Sequence, residues 1–163
     1  FPEKILQKEV KEATNALGIP EKNLILFNYE VRDFPSNRQN ILEDITNLNN
    51  KIKPDLVLVP SSSDTHQDHK VIYEEAVRAF KKTSTIWGYE HPWNNLSFTT
   101  DIFVKLSEEN INLKIASLSK YKSQYRNSYF KPDYTKALAH TRGVQIDVEY
   151  AETFELIRWI IWL

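Results

Sequence analysis

The stretch KPDLVLVPSSSDTHQDHK, residues 53–70, joins a short apolar run to a polar loop that carries two histidines and two aspartates. Residues 56–59 are all apolar, which is typical of a buried strand. Apolar residues between Val71 and Phe80 recur at helical spacing, so a helix is predicted directly after the loop. A strand, a loop and a helix in this order form the repeating unit of an α/β fold.

The same pattern recurs along the chain. Helical spacing predicts further helices over residues 2–17, 36–48, 107–118 and 133–140, and short apolar runs predict strands at residues 24–27, 85–89 and 100–106. Helices that alternate with fully apolar strands are typical of a parallel sheet covered on both faces. We therefore expect a three-layer α/β fold with a mainly parallel sheet, organised as a single domain over residues 1–163.

Composition excludes several classes of partner. The chain has 21 basic and 22 acidic side chains, so it lacks the basic field that nucleic acid or an anionic membrane would need. No run approaches the roughly 20 apolar residues of a membrane span. Cysteine is absent, which excludes thiolate metal sites and a cysteine nucleophile. The apolar end at residues 156–163 is expected to pack as a helix or strand. The same segment could serve an interface in a homo-oligomer.

The polar loop has two interpretations. His66 and His69 are three residues apart at the entry to a helix, so both can project to one side and share a metal ion, with Asp64 and Asp68 as ligands or as acceptors that orient the rings. In the alternative, Asp64 caps the helix and the histidines are solvated. The position beyond the carboxyl end of a strand favours a functional site. His91 and His140 have no such spacing and are expected to be structural.

The quoted stretch resembles the H-x-D-H segment of the LmbE-like (PIG-L) family of zinc-dependent N-acetylglucosaminyl deacetylases. NRQNIL at 37–42, SLSKYKSQ at 117–124 and RGVQIDVEYAETFELIR at 142–158 also resemble bacterial members. The resemblance implies a Rossmann-like domain with one zinc ion. It implies an enzyme of the bacterial cytoplasm that removes the acetyl group from an N-acetylated amino sugar or its glycoconjugate.

The resemblance also implies roles for individual residues. His69 would bind zinc, with Asp64 as a second ligand or as a support. His66 would act in catalysis as an imidazolium that stabilises the oxyanion or protonates the leaving amine, with Asp68 orienting it. Tyr150 would polarise the amide carbonyl.

Two further residues are expected on the substrate side of the site. Arg38 is one, although an ion-pair role suits it as well. Trp87 is the other, because it lies with Tyr89 and Trp93 in IWGYEHPW, residues 86–93, near a strand end where sugar rings could stack.

One departure from the family matters. Its other zinc ligands and its general base lie in an A-H-P-D-D-E-type segment after the first strand, and these 163 residues contain no such segment. The chain begins at Phe1 and has no methionine, so we expect it to belong to a longer protein that carries the segment. On this basis the 163 residues alone should bind zinc weakly and should not hydrolyse an amide.

Two rival hypotheses remain. Asp64-x-His66-x-Asp68-His69 differs at one position from the H-x-H-x-D-H motif of metallo-β-lactamase-like hydrolases, but those proteins resemble glycine-rich β-sandwiches and this chain has three glycines. The other is a metal-free domain of the deacetylase fold that binds a sugar or a protein.

Overall fold

The computed structural model describes residues 3–161. Its helices are α1 (Glu3–Ala16), α2 (Arg38–Ile52), α3 (Gln67–Phe80), α4 (Glu108–Leu118) and α5 (Pro132–Val144). Its strands are β1 (Leu56–Pro60), β2 (Thr85–Tyr89), β3 (Ile102–Leu106) and β4 (Tyr150–Arg158). These elements divide into two compact units: one comprises the residues up to Phe27 together with Phe103–Glu152, and the other comprises Asn28–Ile102 together with the residues from Thr153 onward.

The strands form one sheet in the order β1-β2-β4-β3. β1 and β2 are parallel, and Leu56 is the partner of Thr85. β4 runs antiparallel to β2, with an irregular register between Ile86 and Trp87. The three-layer α/β fold is confirmed, whereas the mainly parallel sheet is not, because the sheet is mixed. Strand direction depends on how the chain returns to the sheet, and the apolar pattern of residues 150–158 does not encode it.

The second unit has its core between the sheet and two helices. Val59 of β1 and Ile86 of β2 are buried against Ala76 and Phe80 of α3. Since β1 and β2 are parallel, their carboxyl ends lie side by side at one edge of the sheet. Gly88 of β2 permits this packing, because a Cβ atom there would lie 2.9 Å from the Cα atom of Ser61.

The first unit is held by buried polar contacts between its segments. The Ser117 hydroxyl of α4 donates to the Ala13 carbonyl of α1 at 3.0 Å. The Glu9 carboxylate accepts from the backbone N–H and the hydroxyl of Ser123 at 2.8 and 2.6 Å. Ser107 caps α4 in a capping box with Asn110.

Some local predictions fail. The apolar run at residues 24–27 forms no strand, and Ile25, Leu26 and Phe27 are exposed, because none of the strands in residues 3–161 pairs with it. The helix predicted from residue 36 begins at Arg38, because Ser36 lies in a 3-10 turn before it. Pro2, at the start of the first predicted helix, lies outside the described residues, as do Trp162 and Leu163 of the apolar end.

The prediction of a single domain stays a prediction. Among residues 3–161, none of the helices combines the length and the apolar character that crossing a bilayer requires.

Candidate metal centre

The loop between β1 and α3 holds the histidines and aspartates singled out in the sequence. His66 is the N-cap of α3, and its Nδ1 atom accepts from the backbone N–H of Asp68 at 3.2 Å. Because Nδ1 accepts in this arrangement, the proton of the neutral ring lies on Nε2. The catalytic role expected for His66 as an imidazolium stays a prediction.

Asp64 is the centre of the arrangement, and it is 5% exposed. Its Oδ1 atom accepts from the backbone N–H of His66 at 2.8 Å. Its Oδ2 atom lies 2.8 Å from Nδ1 of His69 and 3.1 Å from Nδ1 of His91. One carboxylate thus contacts both imidazoles and fixes the loop backbone between them.

Burial alone would raise the pKa of Asp64, because the charged form loses hydration. The hydrogen bonds from His66, His69 and His91 outweigh this effect, and the pKa lies below its ordinary value. Asp64 is consequently ionised at neutral pH. Tyr89, at the end of β2, has its pKa raised to about 12 by burial and by the charge of Asp64, so its hydroxyl stays protonated.

His91 comes from the loop after β2. Its backbone N–H donates to Oδ1 of Asn95 at 2.7 Å, and its carbonyl accepts from the N–H groups of Asn94 and Asn95 at 2.8 and 2.9 Å. The Asn95 amide also donates to the hydroxyls of Ser61 and Ser63 at 2.7 and 3.0 Å. These bonds attach the loop after β2 to the loop after β1.

Four rings follow one another through this site. His66 stacks on His69 with a centroid separation of 4.5 Å, and His69 lies 5.1 Å from His91. His91 stacks on Trp93 at 4.8 Å, and Tyr89 meets His91 edge-on at 5.0 Å. Trp93 is 45% exposed, so the series ends at the surface.

Asp64, His69 and His91 can hold a metal ion. Each offers one ligand atom, and these atoms lie within 4.8 Å of one another. Imidazole nitrogen and carboxylate oxygen are common metal ligands. The carboxylate either ligates with the two rings or accepts their Nδ1 protons and leaves Nε2 for the ion.

The Asp68 carboxylate makes no described hydrogen bond to His66 or His69, so the orienting role expected for it stays a prediction. It is 4% exposed, and its Oδ2 atom accepts from the backbone N–H of Arg32 at 2.7 Å. Its own N–H donates to His66. It thus joins the N-terminus of α3 to a turn elsewhere in the same unit.

The remaining predicted residues are not gathered around Asp64 by any described contact. The Arg38 guanidinium forms ion pairs with two glutamates, at 2.5 Å from a carboxylate oxygen of Glu75 and 2.7 Å from one of Glu74. These contacts agree with an ion-pair role. The Trp87 ring packs against Phe154 at 5.5 Å. Tyr150 begins β4 and lies edge-on to His140 at 6.3 Å. The substrate roles of Arg38 and Trp87 and the catalytic role of Tyr150 stay predictions.

Sequence reasoning treated His91 as structural, and the structure places it in the metal group. The signal available was its position: it follows β2, whose carboxyl end lies beside that of β1. His140 does fit the structural expectation, since its Nδ1 atom lies 3.0 Å from the Glu149 carbonyl oxygen.

The fold and this site define an α/β domain with a histidine and aspartate centre beyond its strand ends. Residues 3–80 match the model of the PIG-L family, described as GlcNAc-PI de-N-acetylase. The resemblance to the PIG-L (LmbE-like) family recognised from the sequence is thereby confirmed. The uncharacterized deacetylase YaiS of Escherichia coli (strain K12) is 37% identical over 86 residues, which are 50% of this chain and 45% of YaiS. This chain thus matches about half the length of that relative.

Solved structures share the fold at lower identity. N,N'-diacetylchitobiose deacetylase of Pyrococcus horikoshii superposes with a TM-score of 0.71 and 19% identity, over 94% of this chain and 63% of that one. GalB, the 4-carboxy-2-hydroxymuconate hydratase of Pseudomonas putida KT2440, superposes with a TM-score of 0.69 and 17% identity, over 99% and 74%. A deacetylase and a hydratase share this fold, so the fold alone does not determine the reaction.

Proposed function

We propose that the protein is a zinc-dependent deacetylase that hydrolyses the acetamide of an N-acetylated amino sugar or its conjugate. The observation that carries this proposal is the group of Asp64, His69 and His91, with His66 stacked beside it. The PIG-L segment and the deacetylase relative support the reaction class. The chitobiose deacetylase supports an amino-sugar substrate.

The donor set fits zinc. A catalytic zinc usually takes about three protein ligands from histidine nitrogen and carboxylate oxygen, and these residues supply two nitrogens and one oxygen. Asp64 is ionised, so the group carries one negative charge toward a divalent cation. His91 adds a donor that the sequence did not indicate, so we expect firmer zinc binding than the two residues His69 and Asp64 would give.

When bound, zinc would polarise the amide carbonyl and lower the pKa of water. The protein's own contribution is positional. His66 presents its Nε2 proton as a donor, since Nδ1 is occupied by the helix cap. An N–H donor suits an amide oxygen that gains negative charge during attack. The Asp64 carboxylate holds the backbone N–H of His66, and the backbone N–H of Asp68 holds its ring.

Trp93 is the residue we propose for the sugar ring. It is exposed and stacks on His91, two ring contacts away from His69. An indole face suits the apolar face of a pyranose, and the acetamide on that ring would extend toward the histidines. Trp87, which packs against Phe154, is less accessible for this role.

The first experiment measures zinc content and acetate release by the purified full-length protein, with His91→Ala and the matched control His140→Ala. We expect about one zinc per chain and acetate release from an N-acetylglucosamine glycoside. His91→Ala should lose both properties, and His140→Ala should keep both. Hydrolysis needs a base in addition to the metal, so zinc binding without acetate release would support the centre and contradict the activity. Absence of both would favour the metal-free binding domain.

The Escherichia coli relative supports a bacterial origin. A cytoplasmic location and a homo-oligomer stay predictions.

A further inference from the structure

A tight turn at residues 30–33 carries an unexpected residue. The backbone N–H of Asp33 donates to the Glu30 carbonyl at 3.1 Å, and Arg32 has a φ of 74°. A positive φ at the third position of a β-turn belongs to the type II turn, where glycine or asparagine is the usual residue. Arginine there costs about 1 kcal/mol or more relative to glycine. The sequence therefore places a disfavoured residue at this position.

The turn is fixed beside the candidate metal centre. The Arg32 N–H donates to Asp68, and the Arg32 carbonyl accepts from the side-chain amide of Gln67 at 2.6 Å. Gln67 and Asp68 follow the N-cap His66 and precede His69. Both sides of the strained peptide are thus anchored on the first turn of α3.

Packing does not explain the arginine. Its side chain is exposed, and within residues 3–161 it has no hydrogen bond or ion pair. Arg38 and Arg78, by contrast, both bind the buried Glu75. A backbone conformation that favours glycine, held by two side chains around a solvent-exposed guanidinium, is typical of a functional position.

We propose that Arg32 binds an anionic group, a phosphate or a carboxylate, of the substrate that the centre acts on. This inference rests on the proposed function. Guanidinium binds both kinds of anion through paired N–H donors. The positive end of the α3 dipole lies at the same place and has the same sign.

The test uses Arg32→Gly, which relieves the strained φ and removes the guanidinium together. We expect its melting temperature to equal or exceed that of the wild type. The matched control is Lys53→Gly: Lys53 is an exposed cation with a φ of 51° at the C-cap of α2, before β1. It should gain stability in the same way without affecting ligands. Arg32→Lys tests whether charge alone suffices.

Two readouts are taken with each variant. The first is kcat/KM for N-acetylglucosamine, its 6-phosphate and N-acetylmuramic acid, and the second is calorimetric binding of glucosamine and glucosamine 6-phosphate. We expect Arg32→Gly to lower kcat/KM for at least one anionic substrate about tenfold, through a higher KM. The kcat/KM for the neutral substrate should stay within about twofold of the wild-type value. Binding of glucosamine 6-phosphate should weaken by about the same tenfold factor. The substrate affected distinguishes phosphate from carboxylate.

Equal losses on neutral and anionic ligands, or no loss on either, would overturn the role of Arg32. No turnover of any substrate together with Arg32-dependent binding of glucosamine 6-phosphate would overturn the proposed activity and support the anion site. Turnover with no dependence on Arg32 would support the proposed activity and overturn the anion site.

Discussion

Two loops meet at the carboxyl ends of the parallel strands, and they are held in different ways. The first loop, residues 61–66, leads directly into α3, and its position is fixed by short-range bonds such as those of Asp64 and His66. The second loop, residues 90–95, has internal bonds from His91 to Asn94 and Asn95, and the Asn95 side chain attaches it to the first loop. The backbone N–H of Thr65 donates to the Asn94 carbonyl at 3.3 Å, and its hydroxyl donates to the same oxygen at 2.8 Å.

The difference means that the second loop depends on the first. The first loop supplies Asp64, the charge that both imidazoles contact, whereas the second supplies His91 and carries Trp93 beyond it. A change in the first loop should therefore disturb both loops. A change in the second should weaken the metal group while the helix cap at His66 persists.

The largest effect is expected for Asp64→Asn, which keeps the shape and removes the charge. As a ligand, Asp64 would account for more than a hundredfold in zinc affinity, whereas loss of a residue that only orients ligands costs about 10–100-fold. We expect the larger loss, measured by competition with a chelating dye. Asp133→Asn, in the first turn of α5, is the matched control and should leave affinity unchanged.

Asp64 also makes the folding stability depend on pH. Its pKa is lowered in the folded state, so the stability from its hydrogen bonds is complete above the ordinary aspartate value and is lost as pH falls through the folded pKa. Wild type should therefore lose its stability advantage over Asp64→Asn only under acidic conditions. An advantage that instead disappeared between pH 6 and 8 would point to the histidines, whose ordinary pKa of about 6.5 lies there.

The two loops also differ in what their sequence reveals. Asp64, His66, Asp68 and His69 lie within six positions next to a predicted helix, so local spacing was enough to propose a site. His91 follows Asp64 by 27 residues, and only the parallel pairing of β1 with β2 brings the two together. Spacing along the chain carries no information on such a pair unless the strand order is known.

The same limit applies to the fold. Apolar periodicity identified α1 to α5 and the strands β1 to β3, because it reports which faces are buried. It could not report that β4 runs antiparallel to β2, or that the run at residues 24–27 has no partner strand among the described residues. Arg32 illustrates a third case: an unfavourable residue in a turn becomes visible only from its φ.

An intermediate effect is expected for Asn95→Ala, which detaches the second loop from the first. The substitution removes hydrogen bonds to Ser61, Ser63 and His91, and it should cost about 1–3 kcal/mol in unfolding free energy. Because His91 is then less well fixed, zinc affinity should fall about tenfold. Asn110→Ala removes the α4 capping box, and it should destabilise by about 1 kcal/mol without any change in zinc affinity. Equal zinc affinity in the two variants would show that the second loop holds itself.

The smallest effect is expected at the exposed end of the second loop. Trp93→Ala removes the indole that stacks on His91, and a stacked aromatic pair contributes about 0.5–1.5 kcal/mol, so KM for an N-acetylglucosamine glycoside should rise about two- to tenfold with kcat little changed. Trp159→Ala is the matched control. Trp159 is 66% exposed and follows β4 near Thr85, at the opposite end of β2 from His91. If the two variants raised KM equally, or if Trp93→Ala lowered kcat alone, Trp93 would not be the sugar-binding residue, and the second loop would contribute to the metal group alone.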